Sequence, residues 1–155
     1  MKKSFILLLT SLFLCVVSFA QTAEQDAIKK VCIAETQAYN NFDYDTWASY
    51  HVQSADEQLA WNNPDGSFGF QSGWDEISNS MKDWFKTGKK ENPKDSNDNF
   101  RFIVHNDIAL VSYDITSQKA DGKITKIHNY ETLLRVKGQW KILTVHAYAD
   151  YASSK

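Results

Sequence analysis

Residues 131–148 read Glu-Thr-Leu-Leu-Arg-Val-Lys-Gly-Gln-Trp-Lys-Ile-Leu-Thr-Val-His-Ala-Tyr, and the fold is decided there. Two runs rich in apolar and β-branched residues flank Lys137-Gly138, which predicts a hairpin of long strands over 124–136 and 140–149. Period-two alternation puts Trp140, Ile142, Thr144, His146 and Tyr148 on one face of the last strand. Their partners depend on the turn. A two-residue loop sets Arg135, Leu133, Glu131 and Asn129 on that face. A three-residue loop with a bulge at Gly138 sets Leu134, Thr132, Tyr130 and His128 there instead. The second collects the aromatic groups on one surface and is preferred; the first stays open.

Outward from this hairpin the second half continues as strand. Residues 108–117 (IALVSYDITS) and 100–104 (FRFIV) alternate, separated by a turn at His105-Asn106-Asp107, and Ala120-Asp121-Gly122-Lys123 forms the next turn. Residues 86–99 contain no large apolar side chain and read as a loop. The first half carries helical signals. Thr22 with Gln25 resembles a capping box ahead of Ile28, Val31, Cys32, Ala38, Tyr39 and Phe42 at helical spacing. A short helix is expected from about Asp43, carrying Tyr44, Trp47 and Tyr50. Residues 58–62 form a strand before the Asn63-Pro64-Asp65-Gly66 turn, and a capped helix then aligns Trp74, Ile77, Met81, Trp84 and Phe85. Helices first and hairpin-linked strands after them predict an α+β domain with a curved antiparallel sheet.

The closing hairpin resembles that of the nuclear transport factor 2-like superfamily, in its SnoaL-like branch. The matching pattern is Gly138, Trp140, Lys141 and Ile142, with His146 six residues after the tryptophan. The association domain of calcium/calmodulin-dependent protein kinase II has a similar ending. Residues 106–113 (NDIALVSY) are similar to a family strand, and Pro64-Asp65-Gly66 with Gly73 and Ile77 is similar to its hairpin and third-helix entry. The resemblance implies a sheet wrapped around N-terminal helices to form a cone-shaped pocket. It also implies a homodimer formed through the sheet, whose outer face would include Leu133, Leu143, Val145 and Ala147 in the preferred register. The chain departs from many relatives at Thr144 and Tyr148, where they carry a histidine and a serine. The superfamily includes isomerases, cyclases, dehydratases and binding modules, so the fold alone assigns no chemistry.

The N-terminus has its own message. Lys2 and Lys3 precede an apolar run from Phe5 to Val17, and Ser18 and Ala20 stand at −3 and −1 before Gln21. This is the pattern of a cleavable secretory signal over residues 1–20, ahead of one domain over 21–155 that is secreted or periplasmic and free of the membrane once cleaved. Cleavage removes two lysines and leaves 15 basic and 19 acidic residues, a net charge of −4. No basic run suggests a nucleic-acid partner. Cys32 is the only cysteine of that domain, so no disulfide forms within it and the two-cysteine metal spacings are excluded.

His146 is the leading candidate for chemistry, because imidazole exchanges protons near neutral pH. It is expected to point into the cone. His128 would face it across the hairpin, and no third ligand at a recognisable spacing supports a metal; no cofactor is implied. Tyr39, Trp61, Trp84, Tyr113, His128, Tyr130, His146 and Tyr148 are the expected ligand-binding set, the aromatic groups offering flat apolar faces with polar tips. Glu35 lies beside the apolar stripe of the first helix and is either a buried acid or an edge residue paired with lysine. His51 and His105 read as solvated, at a helix end and a turn. Three functions fit: binding of a small, partly apolar molecule, proton-transfer catalysis through His146, or assembly with a vestigial pocket. Binding ranks first because no catalytic constellation stands out. Mass spectrometry of the exported protein should show a chain starting at Gln21; one that keeps Met1 would overturn the export reading.

Overall fold

The computed structural model describes residues 2–87, 94–118 and 122–151, with side chains from Gln21 onward. Helix α1 (Lys2–Asn40) runs unbroken through the expected cap at Thr22. Its inner face is Ile28, Cys32 and Glu35, spaced one and two turns apart and all buried. Asp43 caps the short α2 (Tyr44–Ser49), accepting from the Thr46 N–H at 3.1 Å, and the buried Trp47 lies within it. Strands β1 (Gln58–Asn62) and β2 (Phe68–Ser72) form the first hairpin, and α3 (Trp74–Thr87) follows. The remainder is β3 (Lys94–His105), β4 (Ile108–Gln118), β5 (Ile124–Val136) and β6 (Gln139–Asp150).

The six strands form one open sheet in the order β2-β1-β6-β5-β4-β3. It is mixed rather than wholly antiparallel, because β1 lies parallel to β6. Polar residues 94–99, expected in a loop, belong to β3: backbone pairing of Lys94–Asp98 with Gln118–Asp114 holds them, and this edge needs no apolar side chain. Residues 88–93, the centre of the expected loop, and residues 119–121, which include the first two of the expected turn, lie outside the described residues.

The hydrophobic core lies between α1 and the inner face of the sheet. Ile28 and Cys32 pack with Ala109, Val111, Tyr113, Ile115, Leu133, Trp140 and Ile142. A second cluster of Ala38, Trp47, Ala48, Ile77 and Met81 joins the three helices. Glu24 ties α1 to the final hairpin, accepting from Arg135 Nη2 at 2.7 Å and Trp140 Nε1 at 2.8 Å.

The final hairpin resolves the choice of register. Lys137 and Gly138 both have positive φ, 50° and 80°, and form a two-residue turn that pairs Arg135 with Trp140 and Leu133 with Ile142. The preferred three-residue turn is therefore replaced by the two-residue one. One residue later the pairing shifts: Thr132 faces Thr144, leaving Leu143 as a bulge. The bulge reverses alternation for the rest of β6. Val145 and Ala147 turn inward with Glu131 and Asn129, while Thr144, His146 and Tyr148 turn outward with Thr132, Tyr130 and His128. Leu133, Val145 and Ala147 thus leave the outer face on which they were expected. A similar irregularity near Asn99 (φ 56°) reverses β3, so Asp95 and Asn97 point inward before it and Phe100, Phe102 and Val104 after it.

Candidate functional site

A pocket of about 530 Å³ opens between α1, α3 and the β2-β1-β6 side of the sheet. Tyr39 comes from α1, Leu59 and Trp61 from β1, Met81 and Trp84 from α3, and Val145 and Ala147 from β6. Trp61 lies flat over Gly69 on the paired strand: a Cβ there would sit 2.1 Å from the indole, so only glycine admits this placement of the ring. Trp84 stacks on Phe42, with ring centroids 6.1 Å apart. Glu35 and Trp47 complete the lining at the pocket's inner end.

Glu35 heads a buried polar chain. Its Oε1 accepts from the Trp47 indole N–H at 2.6 Å and meets His51 Nε2 at 3.4 Å. On its other side His51 Nδ1 lies 2.6 Å from Glu57 Oε1, and Glu57 Oε2 accepts the Gln53 N–H at 2.8 Å. His51 and Glu57 are fully buried at the side chain, and Glu35 is 10% exposed. Burial alone would lower the His51 pKa, but its hydrogen bonds to Glu35 and Glu57 outweigh that and raise it to about 9. The ring is therefore an imidazolium at neutral pH, donating to a carboxylate from each nitrogen. Trp47 covers one side of it, with ring centroids 4.0 Å apart.

A second buried group lies deeper in the cone. Tyr113 donates to Glu131 Oε1 at 2.5 Å, and Asn129 Nδ2 donates to the tyrosine oxygen at 3.1 Å. Burial, with repulsion from Glu35 next, raises Glu131 to about 7. Burial likewise pushes the Cys32 thiol up, with Glu131 adding to it. Asn129 Oδ1 and Glu131 Oε2 are buried without a hydrogen-bond partner among the described residues.

The expected ligand-binding residues divide into two groups. Tyr39, Trp61 and Trp84 line the pocket, and Tyr113 lies buried beyond it. His128, Tyr130, His146 and Tyr148 do not reach the cone: the two-residue turn sets His128 and Tyr130 of β5 on the opposite face, and the Leu143 bulge sends His146 and Tyr148 of β6 there too. There His146 shares a groove with Ile103, Leu110, Tyr130, Thr132 and Thr144. His128 pairs with Asp114, and its ring meets Tyr130 edge-on at 4.7 Å. His51, read as solvated, is the histidine of the interior, while His105 is exposed as read. Of the two readings of Glu35, the buried acid is the one found. The spacing of Trp47 and His51, one helical turn apart, was the available signal for His51; Glu57, inside the polar stretch 53–57, offered none.

No family model matches the sequence, and no curated protein matches it. Solved structures do. An NTF2-like protein of unknown function from Pseudomonas putida superposes with a TM-score of 0.69 at 14% identity, covering 86% of this chain and 93% of that one. An NTF2-like family protein from Streptomyces avermitilis, provisionally named a dehydratase, gives 0.68 at 16% identity over 84% of this chain and 98% of its own. A protein from Novosphingobium aromaticivorans, provisionally named a scytalone dehydratase, gives 0.68 at 15% identity, covering 86% and 88%. The chain has the NTF2-like cone fold.

The buried histidine makes stability depend on pH in a defined sense. The folded protein holds the His51 proton more tightly than the unfolded chain, so its stabilisation is complete below about 6.5 and is lost as pH rises through about 9. A rise of this size corresponds to roughly 3 kcal/mol. Urea unfolding should show the wild type weakening over that interval, while His51→Gln starts less stable and shows no such fall. A variant that keeps the wild-type slope would contradict the assignment.

Proposed function

We propose that this is an exported protein that holds a small, partly apolar organic molecule in the cone, with Glu35 as the polar group that meets it. The observation behind this reading is a pocket of about 530 Å³ with tryptophan and tyrosine on its walls and one carboxylate at its inner end. The neutral dye N-phenyl-1-naphthylamine is a suitable probe. Ala147→Phe narrows the pocket from the sheet side and should weaken dye binding by at least about tenfold. Equal binding by the variant would place the dye elsewhere and remove this support.

The Glu35–His51–Glu57 chain favours a second reading, proton-transfer catalysis with Glu35 as the base in place of His146. His51 orients the carboxylate, and its positive charge is itself fixed by Glu57. Exchange of the α-protons of 2-tetralone for deuterium, followed by NMR, tests it. The wild type should accelerate exchange and Glu35→Gln should not. Absence of acceleration by the wild type would leave binding as the function.

The outer face has a separate role in this proposal. Ile103, Leu110, Tyr130 and Tyr148, on four neighbouring strands, are each more than two-fifths exposed, and two copies paired through this face would cover them. Light scattering should give a dimer for the wild type and a monomer for Tyr130→Glu. A monomeric wild type at tens of micromolar would rule the dimer out.

A further inference from the structure

We propose that the molecule held in the cone is a small organic cation, a protonated or quaternary amine carried on an apolar body. This rests on the pocket reading above and adds the ligand's charge. Glu35 is the one charged side chain among the described residues that line the pocket. No lysine or arginine is among them. The other polar groups there, on Asn63, Gln71, Ser80 and the tyrosines Tyr39 and Tyr151, are neutral.

Charge at the inner end does not cancel. His51 stands between two carboxylates, so the chain carries one net negative charge, and Glu35 is its member at the pocket. Its Oε1 takes both bonds, from Trp47 and His51. A neutral apolar ligand pressed against Glu35 would strip water from that carboxylate and return nothing. An anion would meet the net negative charge with no cationic side chain on the described pocket lining to pair with. A cation offsets the charge directly.

The walls fit the same chemistry. Tyr39, Trp47, Trp61 and Trp84 surround the space, and aromatic faces attract an ammonium through their quadrupoles, tryptophan most strongly. The two walls are independently built, Trp61 over Gly69 on the sheet and Trp84 against Phe42 beside α3. Aromatic faces combined with one buried carboxylate select for an ammonium over a neutral body of the same shape.

Phenyltrimethylammonium and tert-butylbenzene have the same shape and differ by one charge. Titration of each, read by tryptophan fluorescence and by displacement of N-phenyl-1-naphthylamine, tests the proposal. The cation should bind at least tenfold more tightly than the neutral probe. Glu35→Gln should abolish the cation's advantage over the neutral probe, lowering the cation's affinity at least tenfold without weakening the neutral probe. Trp84→Leu, at a half-exposed position, should weaken the cation several-fold more than the neutral probe. Equal or tighter binding of tert-butylbenzene by the wild type, or a cation preference that survives in folded Glu35→Gln, would overturn the proposal while leaving the pocket reading intact. Displacement of the dye by neither probe, together with unchanged dye binding in Ala147→Phe, would overturn both.

Discussion

The imidazolium of His51, held without solvent between Glu35 and Glu57, is the constraint on which the rest of the interior depends. Burying a charged ring and the carboxylate of Glu57 is expensive, and the pairing of His51 with a carboxylate at each ring nitrogen compensates for it. The three groups come from α1, from the end of α2 and from the approach to β1, so the contact fixes where those segments meet. The backbone on either side of His51 is bonded to β6: the Val52 N–H donates to Ile142 at 2.9 Å, and the Ile142 N–H donates to Tyr50 at 2.8 Å. The first helix, the second helix and the last strand are thereby locked around one ring. Loss of any member leaves a buried charge unanswered, which costs more than the loss of an apolar contact of the same size.

The sheet contributes a second constraint through its irregularities. In a regular strand Trp140 and His146 share a face. Leu143 adds one residue between them and separates them to opposite sides. This brings Val145 and Ala147 into the pocket wall and makes room beside Glu35 that two larger inward side chains would fill. Asn99 does the same on β3, with its backbone in the left-handed region that asparagine tolerates better than most residues. Where the cone is open and where it is filled therefore depends on two inserted residues as much as on composition.

Much of the fold was legible in the sequence for physical reasons. Strong turn residues and long alternating runs marked the strands, the aromatic spacing after Asp43 marked the second helix, and the Gly138-Trp140-Ile142 hairpin carried the family resemblance. The polar start of β3 was not legible, because edge pairing uses backbone groups that any side chain supplies. The parallel β1–β6 pairing was not legible either, since those strands are far apart in the chain. The placement of the candidate site residues was legible only in part. Trp61, Trp84 and Tyr39 line the pocket, as aromatic residues on core stripes suggested. His146 was carried to the wrong face by unbroken alternation, because a bulge at Leu143, one apolar residue among several, leaves no mark in the sequence. His51 looked solvated because its partners, Glu35 and Glu57, meet it only in the folded chain.

The proposed binding or proton-transfer role rests on aromatic walls, one carboxylate at the inner end and a fixed positive ring behind it. The charge on His51 decides how that carboxylate presents itself, so it is the quantity to measure. Heteronuclear NMR of the imidazole nitrogens, followed across pH in the folded protein, reads it directly. Both His51 nitrogens should be protonated at neutral pH, with a midpoint near 9. A neutral His51 ring at neutral pH, with one bare nitrogen, would contradict this assignment.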